Sequence, residues 1–401
     1  MNHNGILVDQ AHFAQLGVHI RQLKGECQGR IRAQVGRDLN PVSGDQVAAL
    51  LFDELGLGHG LMRLTPTGSR ESTDQDILEG LRGQHSVVGD ILEYRELNTL
   101  ENVFVVKLPM MVGRDGRLRT RLKSTTARNG RLASEDPNLQ NIPIRTELGR
   151  EIRAGFIASP GHKIVGRDLS QIEMREVAHL SQDPKLVQVF FDGRDIHQAT
   201  AAGLGSKPED QVTPDERYAA KHLGFAVLYL ITAKGLQLRL LAEGIVKTEE
   251  ECQAYINGWF ALYSGVQDLI EQYFSRARRY MLNWDEFGRH RFVPEAKSVH
   301  RGVANRGLRE AANHPISAGA AGLIKVVMYE LRGLVEYFGR YPSETCLPLL
   351  QIHDEVLFEC SDPIVDDFLG MAGAIMETAV PLSVPVESSG GAAQSWGALE
   401  K

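Results

Sequence analysis

The chain has 401 residues, a formal net charge of −7 and 43% apolar residues, the balance of a globular protein with a core large enough for two or three subdomains. No apolar stretch approaches a membrane span, and Met1-Asn2-His3-Asn4-Gly5 lacks the basic and apolar regions of a signal peptide. Cys27, Cys252, Cys346 and Cys360 are scattered without metal-ligand spacing, so reduced thiols in a cytosolic protein are expected, with no membrane partner.

Taken in chain order, residues 6–50 read as mainly helical, with a break at Asn40-Pro41-Val42-Ser43. Thr65 to Arg70 is rich in turn residues and reads as loop. Helical patterns resume from Thr73 to Val106, and strands are expected near Arg117–Ser124 and Lys163–Asp168. Residues from about 176 to 305 read as predominantly helical. A helix over 315–338, a hairpin at His353–Glu355 and a last helix and strand complete the chain. The acidic total hides two basic segments. Lys107 to Arg153 holds eleven Lys/Arg against five Asp/Glu, and Arg276 to Arg309 holds nine against three. Such segments on an otherwise acidic protein suit a localised phosphate-binding groove.

Three segments carry chemistry. The apolar run from Lys163 ends in Asp168 and leads into the helical pattern Leu169 to Arg175. The segment Leu349 to Glu359 places His353-Asp354-Glu355 between two apolar runs, as in two strands meeting at a tight turn. Carboxylates at strand ends, if brought together, would bind hard divalent cations and suit in-line phosphoryl transfer. Between them lies Thr213-Pro214-Asp215-Glu216, a capping box with Pro at the first helical position. From there Arg217, Lys221, Phe225 and Tyr229 recur every four residues, which keeps them on roughly one helical face. Cations suit phosphates, and a ring suits a base or sugar. The face therefore runs in the order of a nucleoside triphosphate, from its charged tail to its base. A helix that only packs would separate its cations from its rings.

Together these motifs resemble the polymerase region of family A DNA polymerases, the DNA polymerase I family, over nearly the whole chain. The carrying segments are Asp168 to Arg175, Arg217-x3-Lys221-x3-Phe225-x3-Tyr229, His353-Asp354-Glu355, and Gly130 to Ser134 with Pro137 to Pro143. Ile91 to Arg95 and Pro381 through Trp396 extend the match. The resemblance implies an α+β right-hand architecture with an antiparallel-sheet palm, helical fingers and a helical thumb. Its boundaries would be thumb 1–115, palm 116–175, fingers 176–305 and palm again 306–401. It implies templated addition of dNTPs to a primer 3′-hydroxyl with release of pyrophosphate, without exonuclease activity in this chain.

By the same resemblance, Asp168 and Asp354 would hold two Mg²⁺ ions (Mn²⁺ as substitute) with the Leu169 carbonyl as a further ligand, and Glu355 would tune the site. One ion would activate the primer 3′-hydroxyl and the other bind the triphosphate. Gln171, Glu173, His197, Arg217, Lys221, Phe225 and Tyr229 would form the dNTP site. There Lys221 would donate a proton to pyrophosphate, Glu173 would exclude a ribose 2′-hydroxyl and Tyr229 would fill the template-base slot until the fingers close. Arg131, Asn138, Gln140, Asn141, Arg145, Arg309, Asn313 and His353 would contact primer–template DNA. A monomer in the cytoplasm of a bacterial or phage-infected cell is implied, with replication or repair proteins as accessory partners.

Departures from the family pattern are Ala226 and Leu230 for two glycines, Leu169 for a Tyr, Ser317 for a Gln, Asn129 for a Thr, and the charge of Arg167 at a strand end. Ala226 and Leu230 are both expected to favour helix over glycine. Two other readings accompany the polymerase one: a catalytically weak primer–template binding protein, and a reverse-transcribing variant of the same fold.

Overall fold

A computed structural model describes residues 1–58, 71–144, 146–242, 245–340 and 344–399. The loop expected at Thr65–Arg70 and the site residue Arg145 lie outside the described residues. In chain order the elements begin with β1 (Ile6–Val8), α1 (Gln10–Val35), α2 (Gly44–Ala48), α3 (Gln75–Leu81), α4 (Ser86–Thr99) and α5 (Lys107–Met110). Next come β2 (Arg117–Leu118), β3 (Arg121–Lys123), β4 (Ala133–Glu135), α6 (Glu147–Ala154), β5 (Phe156–Ile157) and β6 (His162–Leu169). A helical stretch follows: α7 (Ile172–Ser181), α8 (Pro184–Phe191), α9 (Ile196–Gly205), α10 (Pro214–Leu228), α11 (Ala233–Ala242), α12 (Glu249–Leu262) and α13 (Ser264–Tyr280). The chain closes with β7 (Leu282–Trp284), β8 (His290–Phe292), α14 (Arg301–Phe338), β9 (Cys346–Ile352), β10 (Glu355–Ser361), α15 (Val365–Thr378) and β11 (Ser388–Ala393).

Local chemistry explains many boundaries. Asp9 accepts the His12 N–H at 2.9 Å at the start of α1, and Gly36 ends that helix in the left-handed conformation at φ 74°. Asn40–Ser43 breaks the chain as expected, and Ser43 caps α2. Residues 6–8, however, form a strand where a helix was expected. β1 pairs antiparallel with β2 and β5, and a partner distant in sequence leaves no trace in local periodicity. The β7–β8 hairpin likewise interrupts the stretch expected to be helical.

The expected helix over 315–338 begins far earlier, at Arg301, and runs through Pro315. Proline in a helix interior removes a hydrogen bond and crowds the preceding turn. Here nearly every residue from Gly307 to Ile324 is buried, so packing outweighs the local penalty. The early start carries Arg309 and Asn313 on the same rigid rod as Ser317.

Four strands form an antiparallel sheet in the order β11-β6-β10-β9. One apolar core joins α1, α4 and the β1 sheet to Leu349, Leu350 and Trp396. A second lies among the helices from Met174 to Tyr273, and a third packs α14 and α15 on the four-stranded sheet through Leu323, Val327, Phe358 and Phe368. Among the described residues no helix is long and apolar enough to cross a membrane.

Candidate functional site

The two distant carboxylates meet through strand register. Asp168, next to last in β6, lies directly opposite Glu355, the first residue of β10. The Leu169 N–H donates to the Asp354 carbonyl at 3.1 Å, so Asp168-Leu169 and Asp354-Glu355 lie side by side where the sheet ends. His353 makes the turn at φ 54°, and the Gln351 side-chain amide donates to the His353 carbonyl. Glu355 is buried, with its Oε1 over Gly166, 3.0 Å from where a Cβ there would stand. Leu169 is buried in the core beneath the sheet. Arg167, on the opposite face from Asp168, donates to Ser388 Oγ at 2.9 Å and to the Leu369 carbonyl at 3.1 Å. Its charge at a strand end thus ties β6 to β11 and α15.

Gln171 leads from this strand into α7 with left-handed backbone, φ 54°. Such a conformation is costly for a residue with a Cβ, and it persists where the surroundings dictate it. Two residues on, Glu173 is a buried hub: one carboxylate oxygen accepts from the Arg131 guanidinium, and the other accepts the Tyr229 hydroxyl at 2.6 Å. Burial and the Glu173 charge hold the Tyr229 phenol protonated. Three residues expected to serve DNA, sugar and template base are therefore joined through one carboxylate. Asn129 supports the cluster by accepting the Arg131 N–H at 3.2 Å.

The helix with the cation-to-ring face is α10. Both halves of its capping box form: Thr213 Oγ1 accepts the Glu216 N–H at 3.3 Å, and Glu216 accepts the Thr213 N–H at 2.8 Å. Arg217 and Lys221 are exposed and Phe225 is half-buried. Arg217 donates twice to Asp195 Oδ2, at 2.5 and 3.1 Å, while Asp195 Oδ1 caps α9 through the His197 and Gln198 N–H groups. Burial opposes the Asp195 charge, but Arg217 and the two amides outweigh it and lower its pKa. His197 is buried with its ring 5.8 Å from that of Phe225. Burial first, then Lys221 and Arg217 against the pull of Asp195, brings His197 down to about 4. The pairing of Asp195 with Arg217 was not legible in the sequence, although Asp-Ile-His has the form of a helix cap.

α10 ends at Leu228. Tyr229 is its C-cap, and Leu230 turns left-handed at φ 57°. Ala226 is buried within the helix as expected, whereas Leu230 does not extend it. That expectation is corrected by the backbone: Leu230 occupies a conformation that suits glycine. Phe225, Tyr229, Leu230, Arg239 and Arg309 border a cleft of about 620 Å³. Arg239 had no sequence signal.

The residues expected to hold DNA divide. Arg309 lies in this cleft, and Asn313 donates to the Tyr229 carbonyl at 3.3 Å. Asn138 and Asn141 are exposed, and Asn138 accepts the Gln140 N–H at 3.0 Å as a loop cap. The Gln140 amide donates to the Gln351 carbonyl at 3.0 Å, and through Gln351 it braces the turn at His353. The His353 ring has its pKa lowered by burial and by Arg131. Ser317 is buried with its hydroxyl donating to the Asn313 carbonyl at 2.9 Å.

The fold that carries this site is matched among known proteins. The chain belongs to DNA polymerase family A, whose family model matches residues 10–398. It is 37% identical over 397 residues to the thermostable DNA polymerase I of Thermus aquaticus, covering 99% of this chain and 46% of that protein. Against DNA polymerase I of Chloroflexus aurantiacus it is 37% identical over 398 residues, with 96% and 41% covered. The POL domain of Pol1 from M. smegmatis, solved in complex with DNA primer-template and dNTP, matches with a TM-score of 0.90 at 35% identity, covering 99% of this chain and 68% of that one. The chain spans just under half the length of the curated relatives it matches. The expected α+β class holds.

Proposed function

We propose that this chain is a template-directed DNA polymerase that adds dNTPs to a primer 3′-hydroxyl. The observation that carries this reading is the register that sets Asp168 beside Asp354 at the sheet end. In the reaction, the primer 3′-hydroxyl gives its proton to water, its oxygen attacks the α-phosphorus, the bond to the bridging oxygen breaks, and pyrophosphate leaves. The donor set at the sheet end, two carboxylates and a backbone carbonyl, is oxygen only and fits hard divalent cations. Asp168, Asp354 and the Leu169 carbonyl would hold them, two Mg²⁺ ions in this reading, with Mn²⁺ as substitute. When bound, such ions activate the attacking hydroxyl and neutralise charge on the phosphates.

The chain's own groups do the rest. Arg217 exchanges Asp195 for triphosphate oxygens, and Lys221 supplies a second cation and a proton to the leaving pyrophosphate. His197, neutral near pH 7, donates a hydrogen bond. Phe225 packs on the deoxyribose. Tyr229 gives up the template-base slot and, with Glu173, closes the space a 2′-hydroxyl would need. Arg131 reaches the minor groove, where every Watson–Crick pair offers acceptors in similar places. Asn138, Asn141, Arg309, Asn313 and His353 hold the duplex. The thumb would be 1–115, the fingers 176–305 and the palm the remainder. Primer–template DNA and dNTPs are the proposed partners of a monomeric protein.

The test is primer extension with dNTPs and Mg²⁺, comparing wild type with Asp354→Ala. Extension lost in the variant is the expected result. Tight primer–template binding by a wild type that does not extend would replace this reading with that of a binding protein.

A further inference from the structure

Glu176 lies one turn beyond the hub residue Glu173 on α7 and is completely buried. By strict geometry neither of its carboxylate oxygens has a hydrogen-bond partner among the described residues, and the group near enough to act on it as one is a second carboxyl, Glu286. A buried polar group in that state costs stability and calls for an explanation. The space it fills is defined by α14: a Cβ at Gly319 would stand 1.8 Å from Glu176 Oε1. Glycine within a helix costs about 1 kcal/mol relative to alanine, so the gap has a cost of its own. The β7–β8 hairpin closes the third side. Arg289 donates to Asp285 Oδ2 at 2.6 Å and to the Ala318 carbonyl of α14. A Cβ at Gly322 would meet the Phe287 ring at 2.2 Å. The hairpin therefore presses on α14 immediately beside the Glu176 side chain.

We propose that Glu176 is a positioning residue for the nucleotide site: seated in the gap left by Gly319, it sets the spacing of α7 from α14 and so the place of Glu173 relative to Arg131 and Tyr229. The inference rests on the polymerase reading above. Glu173 is one turn away on the same helix, and three or four residues along a helix bring side chains to one face. On α14, Asn313 reaches the Tyr229 carbonyl. A shift of one helix against the other therefore changes both ends of the contacts that hold Tyr229.

The seam also carries a pH signature. The hairpin turns Asp285, Glu286 and Arg289 toward Glu176. His179 of α7 contacts Glu286 at 3.4 Å, Tyr273 of α13 senses both glutamates, and His314 and Lys325 of α14 sense Asp285 and Arg289. Burial, with Glu286 and Asp285 adding to it, pushes the Glu176 carboxyl up to about 9. It is therefore a neutral acid at pH 7, and its ionisation would add negative charge beside Glu286 and Asp285, with Arg289 as the opposing cation.

Single-nucleotide incorporation by the full chain, measured from pH 6 to 9.5, tests this. Gly319→Ala should raise KM for dNTP about tenfold, with kcat within about threefold, because in this reading Glu173 and Tyr229 line the sugar and template-base slots and do not touch the reacting atoms. Glu176→Ala added to Gly319→Ala should restore most of the loss. Glu176→Gln, a neutral isostere, should keep the wild-type KM at pH 7 and lack the rise in KM expected of wild type toward pH 9.5. Should Gly319→Ala fold poorly, Glu176→Ala alone, which empties the same seat, should raise KM for dNTP instead. A KM that neither Gly319→Ala nor Glu176→Ala changes, while Asp354→Ala stays inactive, overturns the inference and leaves the polymerase reading standing. A wild type that does not extend primers removes both.

Discussion

The carboxylate end and the cation helix of this site are built in different ways. Asp168 and Asp354 are placed by backbone: β6 lies between β10 and β11, and the pairing at Asp168 fixes both neighbours. Arg217 and Tyr229 are placed by side chains, through an exposed ion pair with Asp195 and a hydroxyl bond to Glu173. Exposed ion pairs contribute about 0–1 kcal/mol, and a substrate anion can replace one partner. On the proposed reading, groups that would hold metal ions need fixed placement, whereas groups that would grip and release a nucleotide need contacts that exchange. The comparison predicts chemical loss without structural loss at the first end, and graded, exchangeable losses at the second.

The largest effect falls at the sheet end. Asp354→Ala or Asp168→Asn should lower kcat by roughly 10³-fold or more, while the melting temperature stays within a few degrees of wild type, because the surrounding pairing is backbone. Stopped-flow or quench measurements of incorporation alongside a thermal melt check it. A variant that lost both together would show that the carboxylates carry the sheet, against the comparison.

At the second end the next effect is one of pH. His197 is buried beside the cations and lies at about 4 rather than its ordinary 6.5. A group whose folded pKa is lowered gives stability that is full above the unfolded value and is lost as pH falls through the folded one. Wild type should therefore lose up to about 3 kcal/mol relative to His197→Gln between pH 6.5 and 4. Denaturant melts at several pH values report it. Parallel curves for the two proteins would mean that His197 is solvated and the nucleotide face more open than described.

How far the sequence revealed this asymmetry follows the range of the interactions. The capping box at Thr213–Glu216 and the Arg217-to-Tyr229 stripe are local, and both were legible as spacing. The meeting of Asp168 with Asp354 depends on strand pairing across nearly half of the chain. Spacing could not join them, and only the resemblance did. β1, paired with β2 and β5, was hidden for the same reason, as was the passage of α14 through Pro315, where burial overrides a local breaker. The Arg131–Glu173–Tyr229 hub was named residue by residue, yet its mutual hydrogen bonds were not legible, because side-chain partners follow from tertiary approach.

A smaller effect probes that hub. Tyr229→Phe keeps the ring and removes the hydroxyl that donates to Glu173 at 2.6 Å. A hydrogen bond to a charged acceptor contributes about 1.5–3 kcal/mol, part of which Arg131 retains. KM for dNTP should change by about tenfold, and discrimination against rNTP should fall by a similar factor, since Glu173 is freer to move. Steady-state competition between dNTP and rNTP measures both. An unchanged ratio would separate Glu173 from sugar choice.

The smallest effect lies at the residue that contradicted expectation. Leu230 sits at φ 57° immediately after α10, with a side chain half-buried against the helical core. Glycine there would relieve about 1–2 kcal/mol of left-handed strain, offset by the loss of side-chain burial and by the greater entropy of the unfolded chain, about 0.5–1 kcal/mol. These terms nearly cancel, so Leu230→Gly should melt within about 2 degrees of wild type. Leu230→Val keeps apolar bulk but adds a β-branch where φ is positive, and should lose about 1 kcal/mol or more. The pair separates backbone strain from packing. If glycine proved as costly as valine, the end of α10 would be held by the Leu230 side chain, and the nucleotide helix would be anchored more like the sheet end than the exchangeable contacts at Arg217 and Tyr229 indicate.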